Sequence, residues 1–246
     1  MLRKYSNHRT HSDNIKLGSL TAFSSGMVNV ISVIVFFAFT SNVTGHYAIL
    51  AQEISKGNWF QAAIVLLWVL LFFLGSFTSN FLIIHGNQYI GQYLAHAIPV
   101  ILEIICLFTV GIFLQHFYTE SLQETEFLVA LLLFAMGLQN GLTASISNST
   151  IKTTHLTGLT TDLAIVLSMF TKKSFRNDII LIQKAQLLTS ILVSYIVGGI
   201  ITGLFYNYVQ NNTFYIVCVV LLIIILYDYY KLSVQKFYNR RFANTQ

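Results

Sequence analysis

Along most of this chain, hydrophobic positions do not alternate with polar ones; they run together. Six stretches, near residues 18–40, 60–84, 94–117, 126–147, 179–206 and 213–233, are apolar almost throughout. Each is near or above the ~20 residues that cross a ~30 Å hydrocarbon core. A helix on the surface of a soluble bundle keeps a polar stripe for water, and these stretches have almost none. The pattern therefore predicts an all-α integral membrane protein with six long transmembrane helices.

Two shorter stretches interrupt the pattern, "NVTGHYAILAQEIS" at 42–55 and "HLTGLTTDLAIVLS" at 155–168. Thr44, Gly45, Leu50, Ala51 and Ser55 recur 113 residues later as Thr157, Gly158, Leu163, Ala164 and Ser168. A helix from Gly45 to Ser55, or from Gly158 to about Phe170, is only about 17–20 Å long, too short to span. A Thr precedes each Gly and is the expected N-cap, and the polar stretch ahead of it is unsuited to lipid. Irregular backbone at membrane depth is tolerated only where protein or a water-filled cavity covers it. Both are expected to be re-entrant half-helices facing the protein interior.

The duplication extends further. Gly26 and Asn29 pair with Gly137 and Asn140 at an offset of 111, and Gly75 pairs with Gly198 at an offset of 123. Each half reads as a long span, a Thr-Gly half-helix and two more long spans. Three spans per half place the second copy upside down, so an inverted 3+3 repeat is expected. The boundaries are 1–16 for a basic tail, 17–117 for the first repeat, 118–126 for an acidic loop, 127–233 for the second repeat and 234–246 for a second basic tail. A rival count of eight spans in a parallel repeat has Lys56 in its favour, because six spans leave that lysine outside.

Composition agrees with the pattern: 55% of the residues are hydrophobic and 9% charged, with a mean hydropathy of +0.66. The net charge of +5 changes the picture only through its distribution. Arg3, Lys4, Arg9 and Lys16 precede the first span, Lys172, Lys173 and Arg176 fill a loop, and Lys231, Lys236, Arg240 and Arg241 follow the last span. Basic loops stay in the cytoplasm, so both termini are expected there, and "YTESLQETE" at 118–126 outside. The charge signals orientation, and no nucleic-acid partner is expected. The first apolar run is too long for a cleaved signal peptide and lacks a convincing cleavage site. Cys106 and Cys218 lie in apolar runs and imply neither a disulfide nor a zinc site. No His-Glu-x-x-His, Gly-x-Ser-x-Gly or Walker-type loop occurs, and His46, His85, His96 and His155 show no metal-ligand spacing. No catalytic residue, metal or cofactor is expected, and His85 and His96 read as interfacial.

The segments "VTGHYAILA", "MGLQN" and "TTHLTGLTTDLA" resemble the YoaK-like bacterial membrane proteins, a family catalogued as a domain of unknown function, over about residues 17–233. His46 stands where that family's first motif usually has Asn. The resemblance implies a multi-pass protein of the bacterial cytoplasmic (inner) membrane, and supplies no substrate.

Function must therefore come from the sites. Two short helices beginning at membrane depth bring two positive dipole ends, each equivalent to about half a charge, to the centre of the bundle, and such ends attract anions. The candidate binding set is Thr44, Gly45, His46, Thr157, Gly158 and His155, with Lys152 nearby and with Asn29, Gln139 and Asn140 as polar walls. The expected function is a transporter or channel for a small polar or anionic solute held between the halves. The plainer alternative is that Thr and Gly only cap and pack helices and the amides only bind helix to helix; a scaffold protein would then result, and a membrane enzyme is a third class. Apart from the bilayer and the solute, the partner compatible with the sequence is a second copy of the chain. Of the acidic residues, Glu53 reads as a partner for Lys56 and Asp228 as interfacial. Asp162 and Glu103 are the candidates for proton or ion coupling, because a carboxylate in the bilayer needs a partner or a proton. Glu103 follows Pro99 by four residues and is expected to bond another span.

Overall fold

A computed structural model describes residue 2 and residues 9–243, with side chains as far as residue 230. The described chain is helical, without strands. It forms α1 (His11–Phe36), α2 (Val43–Ser55), α3 (Trp59–Tyr89), α4 (Gln92–His116), α5 (Leu122–Ile146), α6 (Leu156–Met169), α7 (Ile179–Val209) and α8 (Thr213–Ala243). Five segments are long and apolar enough to cross a membrane; the fifth, Ile179–Tyr230, holds α7 and the described part of α8, joined by a tight turn at Gln210–Asn212. The outer faces carry large apolar side chains such as Phe73, Phe77, Phe81 and Leu204. Water would penalise that surface; acyl chains do not. The architecture is that of a multi-pass membrane protein.

Polar residues at the helix starts set the boundaries. Thr10 and Asp13 form a reciprocal capping box, so α1 begins well before the apolar run and carries Lys16 within it. Ser121 caps α5, which therefore takes Glu124 and Glu126 into its first turns. Asp178 accepts from the amides of Ile180 and Leu181 to start α7. Pro99 lies inside α4, which runs through it without a break.

Glycine decides how the helices meet. A methyl placed on Gly26 of α1 would lie 2.0 Å from the carbonyl oxygen of Tyr195 on α7, and one on Gly198 would lie 2.2 Å from that of Phe23. The α3–α5 contact is built alike: a methyl on Gly75 would lie 2.2 Å from the Phe134 oxygen, and one on Gly137 the same distance from that of Phe72. Backbones can approach so closely only where no Cβ intervenes, which is how small residues drive association where burial from water is no longer available. Ser76 and Ser79 hydroxyls add bonds from α3 to the carbonyls of Gly137 and Leu138. α1 and α5 form the middle of the bundle, α4 and α8 close it, and α2 and α6 lie against α3 and α7.

Two residues read as interfacial are interior. His96 is fully buried and donates from Nδ1 to the carbonyl of Leu2 at 2.7 Å, and the Leu2 amide donates to the buried Asp228 carboxylate. Leu2 thus lies between α4 and α8 and supplies partners that no window of local sequence reveals. His85 stays exposed, with its ring tilted at 43° against that of Phe81.

Substituting Gly26→Ala or Gly137→Ala should cost about 1–3 kcal/mol, the usual range for overpacking. Gly203→Ala should be neutral or stabilising, since its methyl would meet nothing within 4 Å. Thermal or denaturant melts of the purified protein in detergent measure the difference; equal melts for all three would refute the close-approach account.

Candidate functional site

The segment after α1 turns back on itself. Phe37 ends α1 in the left-handed region, with φ of 53°, and the chain then descends beside the helix it has just left. There Asn29 receives it. Its Oδ1 accepts from the Thr40 amide at 3.2 Å, the Thr40 hydroxyl at 3.4 Å and the Ser41 hydroxyl at 3.1 Å, while its Nδ2 donates to the Ser25 carbonyl. Asn29 lies seven residues before the end of α1, about 10 Å along the axis at ~1.5 Å per residue.

The segment after α5 is received in the same manner. Asn140 accepts from the Thr153 hydroxyl at 3.4 Å and donates to the Thr154 hydroxyl and the Met136 carbonyl. Gln139 does a different job. It is 1% exposed, donates to the Ser24 hydroxyl at 2.8 Å and accepts from that of Ser25, which ties α5 to α1. For Gln139 the plainer reading, interhelical bonding, is the observed one.

The short helices start two residues earlier than their Thr-Gly pairs suggest. The N-cap of α2 is Asn42, whose Oδ1 accepts from the Gly45 amide at 3.1 Å; that of α6 is His155, with no side-chain cap bond. Thr44 and Thr157 are therefore not the caps. They lie inside the first turn, and the caps explain the glycines: a methyl on Gly45 would lie 2.9 Å from Asn42 Nδ2, and one on Gly158 2.5 Å from His155 Nδ1. The sequence signal for this was Asn42 itself, a better cap than threonine.

A cavity of about 660 Å³ opens where these pieces meet. Asn29 and Asn140 line it together with Ser41, Asn42 and Thr44 from one segment and Lys152, Thr154, His155 and Thr157 from the other; Tyr47, Ser76 and Tyr195 add hydroxyls. Lys152 is the only permanently charged side chain among the described lining residues, and none is acidic. Two helix N-termini and one ammonium give the cavity a positive field.

Other expected members lie elsewhere. Gly45 and His46 line a second cavity on the far side of the α1–α2 segment, while Gln139 and Gly158 line neither. His46 is 4% exposed, and its Nε2 donates to the Phe39 carbonyl at 2.9 Å. Asp162 faces Lys184 of α7 across 3.9 Å, with 51% of its side chain exposed, because its position on α6 points away from the cavity. Glu103 is fully buried in α4, and neither of its oxygens has a hydrogen-bond partner among the described residues; the expected bond to another span is not made. Glu53 pairs with Lys56 at 2.9 Å and accepts from Asn58. No group of three or more possible metal ligands occurs among the described residues.

Neither the curated proteins nor the solved structures contain a match to this chain. A family described as "Protein of unknown function (DUF1275)", to which the YoaK-like proteins belong, matches residues 17–227, a span that covers the receiving asparagines, both short helices and the whole lining of the cavity. The chain is a member of the DUF1275 family.

Proposed function

We propose that this protein is a transporter or channel of the bacterial cytoplasmic membrane for a small anionic or strongly polar solute, held in the cavity between the two halves of the chain. One observation carries the reading. Both irregular segments and both short-helix N-termini converge on one 660 Å³ space that has a lysine and no carboxylate. That volume suits a small molecule, and the lining offers an anion amides, hydroxyls and one ammonium. The residues assigned to the solute are Asn29, Thr44, Asn140, Lys152, His155 and Thr157.

The topology that goes with this reading is six spans in an inverted 3+3 repeat, with α2 and α6 as half-helices. Three observations support it. The α1–α2 segment returns to the depth of Asn29, so α2 starts within the bundle. The glycine contacts correspond at the sequence offsets, Gly26 and Gly198 at one crossing matching Gly137 and Gly75 at the other. Lys56 is paired with Glu53, which removes its weight as a cytoplasmic marker for the eight-span count. A scaffold would present its small residues on an exposed face; here the close-contact glycines are spent inside the bundle.

Single-cysteine labelling tests the topology: Glu120→Cys is expected to react only from outside and Ser174→Cys only from the cytoplasm. Reaction of Glu120→Cys from the cytoplasm alone would overturn the inverted repeat.

Uptake into proteoliposomes, screened over small inorganic and organic anions, amino acids and sugars, tests the function. Lys152→Gln should raise KM for an anionic solute about 10-fold or more, since a hydrogen bond to a charged group is worth ~1.5–3 kcal/mol. Asn140→Ala should abolish uptake by releasing the α5–α6 segment. No uptake of any class tested above protein-free vesicles would end the transport reading.

A further inference from the structure

A second cavity, of about 490 Å³, adjoins the first and shares Phe39 and Asn42 with it as a common wall. Its chemistry differs. Among its described lining residues the titratable groups are two, His46 from α2 and Glu126 from α5. His46 Nε2 donates to a carbonyl, so in the neutral imidazole Nδ1 carries the lone pair; it is buried with no hydrogen-bond partner among the described residues. Glu126 Oε1 is likewise buried without a partner. Trp68 of α3 connects the two: its ring meets the His46 ring edge to face at 5.5 Å, and its indole N–H donates to the Glu126 carbonyl at 3.2 Å.

Packing alone does not call for such a trio. At the sequence offsets that pair the two halves, His46 corresponds to Leu159, Trp68 to Ile191 and Glu126 to Ile15. Leu159 and Ile191 are buried in the apolar core, and Ile15 packs against it. The α1, α6 and α7 positions are aliphatic, whereas the α2, α3 and α5 positions keep a base, an indole and an acid beside a cavity. Unsatisfied buried polar groups cost stability, and their retention beside an open space points to something that binds there.

We propose that this cavity is a proton-binding site, in which His46 Nδ1 takes up a proton from water and the Glu126 carboxylate stabilises the imidazolium. The proton adds to the Nδ1 lone pair, the Nε2–H stays on the Phe39 carbonyl, and the new positive charge is balanced by the carboxylate. No other bond changes. α3 presents Gln61 and Trp68, both uncharged; the α1 side presents Phe36 and Phe39, also uncharged; on α2 itself the charged pair Glu53 and Lys56 is closed on itself, and near the start of α5 Glu124 is occupied by the Thr119 amide and hydroxyl. A new N–H on His46 attracts α2 toward α5, and Asn42, the cap of α2, belongs to the wall of the solute cavity. Protonation thus acts on the solute site through the shared segment. This coupling rests on the proposed solute cavity; proton binding does not.

The test needs no solute. The chain has two tryptophans, so Trp59→Phe leaves Trp68 as the sole indole reporter, and imidazolium in ring contact quenches indole emission. In purified Trp59→Phe protein, emission is expected to fall through a single transition on acidification between pH 8 and 5. Adding His46→Gln should abolish the transition. Adding Glu126→Gln should move its midpoint down, since a carboxylate lining the same cavity favours the charged imidazole. A flat titration with His46 present, a transition that survives His46→Gln, or an unmoved midpoint in Glu126→Gln would each overturn the proposal. Should His46→Gln fail to fold, the Glu126→Gln midpoint decides. A flat titration leaves the solute cavity standing, and absence of uptake leaves the proton site standing.

Discussion

Backbone amides and carbonyls inside a membrane must find partners within the protein, and the fold of this chain turns on how it meets that demand at two places. Where the α1–α2 and α5–α6 segments lie beside α1 and α5, Asn29 and Asn140 bind them with amide side chains. Without such a receptor, an extended polar segment would be expelled toward the headgroups. The N-termini of the short helices that follow would then not meet, and the cavity between them would not form.

The rest of the bundle serves this arrangement. Serine and glycine bring α3 onto α5 and α1 onto α7 at backbone contact, leaving the side chains of α2 and α6 to fill what remains beside the receiving asparagines. Gln139 ties α5 to α1 at the level next to Asn140, which fixes the two receptors relative to each other. Rigid helices on rigid contacts hold two irregular segments at a defined separation, and the space between them becomes a site.

The two cavities divide the chemistry between them. One has a lysine, hydroxyls and amides; the other has a glutamate and a histidine. A single turn of chain, Phe39 to Asn42, separates them. His46 lies four residues after Asn42, on the short helix that Asn42 caps. Asp162 is engaged at the surface with Lys184, and Glu103 is sealed within α4.

Hydrophobic run length by itself determined that the chain is a helical membrane protein, and repeated Thr-Gly and Gly-x-x-Asn spacings determined that two short helices and two asparagines matter together; these are local properties, written in consecutive residues. Five of the nine expected binding residues, Asn29, Thr44, Asn140, His155 and Thr157, line the cavity, because each is a receiving asparagine or lies at the start of a short helix. What the sequence could not decide depended on which face of a helix meets which neighbour. The 3.6-residue turn points His46 away from the cavity although its neighbour Tyr47 lines it, and it turns Asp162, on the next turns of α6 after Thr157, toward Lys184. Capping by Asn42 rather than Thr44 was legible in the sequence, since asparagine is the better cap, and the structure shows its side chain accepting from the Gly45 amide. Glu126 looked like part of an exposed acidic loop; the Ser121 cap draws it into α5, and only the packing of α2 and α3 beside that helix buries one of its carboxylate oxygens and places it on a cavity shared with a histidine 80 residues away in the chain.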